Sequence, residues 1–189
     1  TAATTAATTA EGSADIALGP SADAKRPEKS RALEIDEISG IAEAFVRTAV
    51  LAREAGFAGV ELHGAHGYLL SQFASPYTNL RSDKYGGALE NRLRLHCEIN
   101  NGIRQACGGD FIIGIRIGCN EPDIEGGVAV AMHLEKNGFD LIHVSASGHS
   151  RNKPEIPEGF EYNWIVRGGC IIRKAISLPV IAVNDIRTP

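Results

Sequence analysis

FIIGIRIG, residues 111–118, is rich in β-branched residues and reads as apolar on both faces, the pattern of a strand inside a parallel sheet. Working outward, a helix fits 89–106, closed by Gly108 and Gly109. Downstream, a helix over 127–137 stops at Gly138 and gives way to FDLIHVSAS, 139–147. A further helix over about 164–176 leads into LPVIAV, 178–183. Upstream, Ile38, Ile41, Ala42, Phe45, Ala49 and Ala52 recur at three- and four-residue steps, which predicts a helix over 35–55 with Asp36 as N-cap and Gly56 as its stop. FAGVEL, 57–62, then reads as a strand. Four strands alternating with helices of this length mean βαβ units and a parallel α/β sheet, either doubly wound or part of a (β/α)8 TIM barrel.

No GxGxxG opens a helix after any strand, so a dinucleotide site of the Rossmann kind has no support. Polar residues gather instead just past the strand ends: His63 and His66, Asn120 and Glu121, Ser145 and Ser147, Asn184 and Asp185. In a barrel that is the active face. A complete barrel takes about 250 residues, so four strands amount to about half of one.

The chain of 189 residues is 43% hydrophobic and 22% charged, an ordinary globular composition. A net charge of -4, with Lys and Arg scattered, leaves no footprint for nucleic acid. No window approaches a membrane span and no secretion signal is evident, so a cytoplasmic setting and a small-molecule partner are expected, with homo-oligomer formation left open. Cys97, Cys107, Cys119 and Cys170 lie far apart and read as free thiols. TAATTAATTA, 1–10, has too little apolar bulk to anchor a fold. Residues 1–18 are set apart as a low-complexity segment, with one partial barrel domain over 19–189.

HGAHGY, 63–68, places two imidazoles and a phenol straight after a strand. Three readings compete. The histidines could be hydrogen-bonded turn residues with Tyr68 packed on a helix. His63, His66 and Glu61 could ligate zinc, although no further ligand stands at matching spacing, and the expectation is no metal. Or the two imidazoles donate to one oxygen and polarise a carbonyl, while Tyr68 supplies a proton to a strongly basic carbon. The last reading needs a hydride donor that no side chain provides, and so implies a redox cofactor. Arg116 adds to it: a guanidinium inside a strand needs a negative partner, and no acidic residue lies near it in sequence.

The run GVELHGAHGYLLSQFASPYTNLRSDKYGGALENRLR, 59–94, closely resembles the old yellow enzyme family of FMN-dependent NAD(P)H oxidoreductases, which includes a 2,4-dienoyl-CoA reductase branch. The signature formed by Asn79, Arg81, Asp83, Tyr85, Gly86, Gly87, Asn91 and Arg92 is the most specific part of the match. The similarity runs from Gly19 to the end of the chain and corresponds to strands four to seven of the barrel.

The resemblance implies FMN at the C-terminal ends of the strands, with NADH or NADPH as reductant. It implies that His63 and His66 bind the substrate oxygen over the flavin, that Tyr68 is the proton donor, and that Arg116, with His63, borders the flavin ring. A His pair followed by Tyr is similar to the alkene-reducing branches, which act on α,β-unsaturated carbonyl compounds. The alternatives are an amine dehydrogenase or demethylase of the same family, or a non-catalytic fragment lacking flavin. Asn184 and Asp185 depart from the family, which has a glycine pair where its phosphate cradle begins. The signature itself reads as mostly structural, with Glu90 and Arg94 spaced to pair.

Overall fold

The structure is a computed structural model, and it describes residues 16–25 and 27–187. The Thr/Ala tract at 1–10 lies outside the described residues. The elements run β1 (Ala17–Gly19), β2 (Ser30–Ala32), α1 (Ile35–Glu54), β3 (Gly59–Gly64), α2 (Leu69–Ala74), α3 (Leu89–Arg92), α4 (Arg94–Cys107), β4 (Ile112–Gly118), α5 (Ile124–Lys136), β5 (Leu141–Ser145), α6 (Trp164–Ala175) and β6 (Val180–Ala182). Strands β3, β4, β5 and β6 form one parallel sheet whose spatial order is the chain order, as in the wall of a barrel. Strands β1 and β2 pair with each other in a separate parallel ribbon. β1 runs across the expected division at residue 18.

The pleat sends alternate side chains to opposite faces of the sheet. Leu62, Ile113, Ile115, Ile117, Ile142 and Val144 share one face and are buried with Ile38, Ile99, Ile103, Leu134 and Ile172 of the helices in a single core. Fully burying side chains of this size stabilises by about 1.5–3 kcal/mol each. The other face is not apolar. β4 presents Ile112, Gly114, Arg116 and Gly118 there, and only Ile112 is a large hydrophobe, at 44% exposed. Glu61, His63, His143 and Ser145 share this face. FIIGIRIG is therefore one-sided, and its polar side carries the candidate site.

Helix boundaries follow local chemistry. The N-cap of α1 is Glu34 rather than Asp36: the Glu37 carboxylate accepts from the Glu34 N–H at 2.8 Å and pairs with Arg31 at 2.6 Å. Asp123 caps α5 by accepting from Gly126 N at 2.8 Å, starting that helix earlier than its apolar spacing suggests. The expected helix over 89–106 is two helices, α3 and α4, interrupted at Leu93. Gly56, Gly108 and Gly138 follow α1, α4 and α5 with φ of 88°, 84° and 82°, positive values that glycine adopts at little steric cost.

The signature residues brace the loop between α2 and α3. Arg81 binds both oxygens of Asp83 and donates to Pro20 O and Leu33 O, tying the β1–β2 ribbon to this loop. Asn79 donates to Phe73 O and Tyr85 O, both at 2.7 Å, and the Tyr85 hydroxyl donates to Glu98 at 2.8 Å. Arg94 does not pair with Glu90 among the described residues; it donates to Lys84 O and Asn91 Oδ1.

Candidate active site

His63 is next to last in β3, and the chain turns immediately after it. His66 takes a left-handed conformation, φ 61°, and Gly67 follows at 78°, so the backbone doubles back and delivers Tyr68 to the start of α2. The turn brings the three rings together. The His63 centroid lies 5.0 Å from that of His66 and 5.1 Å from that of Tyr68. Tyr68 is 47% exposed on the open side.

Register sets the next layer. His63 pairs with Arg116, and Arg116 with His143, so three basic side chains stand in a row across the polar face. His143 Nδ1 meets Glu61 Oε2 at 2.8 Å. The Glu61 carboxylate is thus engaged with His143, and no group of three or more His, Cys, Asp or Glu among the described residues is arranged to hold a metal ion. Arg116 has no ion pair among the described residues; its Nη2 donates to Ser145 Oγ at 3.2 Å, while its buried Nε has no hydrogen-bond partner. Ser145 Oγ lies 2.7 Å from His66 Nε2.

Burial lowers the pKa of His63, and the Arg116 charge lowers it further against an opposing pull from Glu61. Burial and then Arg116 lower His66 in the same way. Both imidazoles are therefore neutral at pH 7, each with one N–H to donate and one nitrogen to accept.

Loops from the neighbouring strand ends hold the turn. His66 N donates to Ala146 O, and Gly148 packs directly on the Gly67 backbone. Asn120 and Glu121, among the polar residues past the strand ends, make their hydrogen bonds to the loop after β5 rather than to the ring cluster. Asn120 receives the Ser147 N–H and donates to Asn152 O, and Glu121 receives the Ser147 hydroxyl. Asn184 and Asp185 both adopt positive φ, at 94° and 55°, a backbone that glycine reaches more readily. His143 is the site residue that sequence patterns leave unmentioned, while Glu61 enters there only as a possible metal ligand and Ser145 only as a polar residue at a strand end; the signal for all three is a charged or polar residue at every second position of neighbouring strands.

The molecule is thus an arc of parallel α/β barrel carrying two neutral imidazoles, a phenol and a fixed cation at the C-terminal ends of its strands. The NADH:flavin oxidoreductase / NADH oxidase family matches residues 3–189, and the chain belongs to that family of FMN-binding, NADH- or NADPH-dependent proteins. It is 44% identical over 166 residues to an NADH oxidase of Thermoanaerobacter brockii, covering 84% of this chain and 25% of the relative. It is 31% identical over 180 residues to a cinnamate reductase of Clostridium sporogenes, covering 84% and 27%. Among solved structures, a 2-naphthoyl-CoA reductase in complex with 2-naphthoyl-CoA superposes with a TM-score of 0.73 at 28% identity, covering 88% of this chain and 27% of that one. The chain spans about a quarter of the length of these relatives.

No helix among the described residues is long and apolar enough to cross a membrane. Of the four free cysteines, Cys107 and Cys119 are buried and Cys97 and Cys170 partly so.

Proposed function

We propose that this chain carries the substrate-polarising and proton-donating half of an FMN-dependent NAD(P)H oxidoreductase that reduces the activated C=C bond of α,β-unsaturated carbonyl compounds. The observation that carries the reading is the convergence of His63, His66 and Tyr68 on the open polar face beside Arg116. FMN suits the donor set: Arg116 offers a cation that no carboxylate among the described residues neutralises, with an unpartnered Nε, as an electron-rich ring edge requires. When bound, FMN supplies the redox chemistry, taking electrons from NADH or NADPH and passing hydride to an electron-poor carbon.

The chain's own residues do the rest. His63 and His66 each direct a neutral N–H at the substrate carbonyl oxygen. That oxygen gains negative charge as the enolate forms, so these bonds strengthen toward the transition state and lower its energy. Neutral imidazoles suit the role, because an imidazolium would hand its proton to the oxygen rather than only polarise it. The Tyr68 O–H gives its proton to the α-carbon, which completes the saturated product. A phenol is a weak acid, able to protonate an enolate carbon and too weak to protonate the starting alkene. A cinnamate reductase among the relatives is in keeping with this substrate class.

The experiment is a half-reaction comparison of wild type and Tyr68→Phe in the anaerobic holoenzyme. Bleaching of the flavin band by NAD(P)H should survive the substitution. Its recovery on adding an enone should slow by about 10²–10⁴-fold, the span of general acid catalysis. Equal slowing of both half-reactions would make Tyr68 structural and overturn the reading.

A further inference from the structure

We infer that Ser145 is a positioning residue that fixes His66 as its Nδ1–H tautomer and so aims the His66 donor at the substrate oxygen; this rests on the function proposed above. The reasoning is a proton count around one hydroxyl. Ser145 is 4% exposed, and its Oγ has two partners, Arg116 Nη2 at 3.2 Å and His66 Nε2 at 2.7 Å. A guanidinium has only donors, so the Arg116 contact takes one oxygen lone pair. The hydroxyl still has a proton to place, and His66 Nε2 is its one other partner among the described residues.

Were Nε2 protonated, it too would donate to Oγ, and the Ser145 O–H would be left buried and unpaired, at about 1–3 kcal/mol. The arrangement that satisfies every group runs from Arg116 to Ser145 to His66 Nε2. The ring proton then sits on Nδ1, which has no hydrogen-bond partner among the described residues and belongs to a ring in contact with that of His63. Donation from a cation also polarises the Ser145 O–H, so the chain tightens cooperatively.

Arg116 thus acts on the turn as well as on the face it shares with His63. Without the serine, the His66 tautomer would be set by the imidazole's own preference for Nε2–H, and the donor would face β5 instead of the open side.

The test is the ¹⁵N spectrum of histidine-labelled holoenzyme, with His66 assigned by its absence in His66→Asn. Long-range ¹H–¹⁵N correlations separate the two tautomers directly. Wild type should show Nδ1–H at His66, Ser145→Ala should move it to Nε2–H, and Ser145→Thr, which keeps the hydroxyl, should restore Nδ1–H. Alkene reduction in Ser145→Ala should fall on the order of tenfold, less than the about 10²–10³-fold of outright donor removal, because the tautomer can still interconvert. Wild-type His66 carrying Nε2–H would overturn the inference whether or not the alanine variant folds, and so would an alanine variant with unchanged tautomer. A changed tautomer with unchanged alkene reduction would support the role of Ser145 and overturn that of His66 in the proposed function.

Discussion

Gly148, in the loop after β5, is the point where the site leaves no room. A Cβ built there would stand 2.1 Å from Gly67 N, 2.3 Å from Gly67 Cα and 2.4 Å from the carbonyl carbon of His66. All three are backbone atoms, so no rotamer change relieves the contact. Ordinary contacts begin near 3.4 Å. Gly148→Ala must therefore push the loop and the HGAHGY turn apart by roughly 1 Å, a displacement that costs on the order of 10²-fold when it falls on catalytic groups.

Because the turn holds His66 and Tyr68, the loss should fall on flavin reoxidation by an enone, with flavin reduction by NAD(P)H changed only a few-fold. The strain should also lower stability by about 1–3 kcal/mol, as overpacking does. Anaerobic stopped-flow absorbance separates the two half-reactions, and a thermal melt reads the stability. Gly109→Ala is the control, since a Cβ there meets nothing within 4 Å. A Gly148→Ala enzyme that is reoxidised at the wild-type rate would refute the claim that this contact places the turn.

Two further outcomes concern the frame around the site. Asn79→Ala leaves the buried carbonyls of Phe73 and Tyr85 without their donor and should cost about 2–4 kcal/mol in a denaturant titration; a cost below about 1 kcal/mol would mean water replaces the amide. Burial holds the fully enclosed His96 imidazole at about 4, whereas the unfolded chain titrates near 6.5. Between those values the unfolded state binds a proton that the folded state refuses, so stability falls as pH drops from about 6.5 to about 4, by about 3 kcal/mol, and this contribution is flat above that window. His96→Gln should remove that part of the slope in chemical unfolding measured across the window; an unchanged slope would place the titration elsewhere.

The long elements were legible because a helix of 20 residues such as α1 repeats its apolar stripe several times, and β3, β4 and β5 are bounded by glycines and polar turns. β1 and β2, three residues each, and α2, six residues, are too short to show a period. β4 reads differently for another reason: Gly114 and Gly118 look neutral in a string of isoleucines, although with Arg116 they leave Ile112 as the one large apolar side chain on that face. HGAHGY was legible as chemistry because its rings are close in sequence. Ser145 reaches His66 across 79 positions and Glu61 reaches His143 across 82, and only the strand register reveals either meeting. The N-cap is not legible because Asp36 is the better capping residue by type, whereas the Glu37 carboxylate, held by Arg31, binds the Glu34 N–H and starts the helix there.

In the four-stranded sheet, spatial order equals chain order, and each strand pairs with the next one along the chain, across one helix for β4–β5 and β5–β6 and across three for β3–β4. Each new pairing still has to close a loop that contains at least one whole helix, so parallel strands of this kind pair slowly. During synthesis each α/β unit has its docking surface already exposed by the unit before it, so the sheet can grow by accretion as the chain leaves the ribosome. The same geometry makes the exposed edge of the latest strand the vulnerable feature at every stage, because that edge is what the next unit, or a wrong neighbour, will pair with.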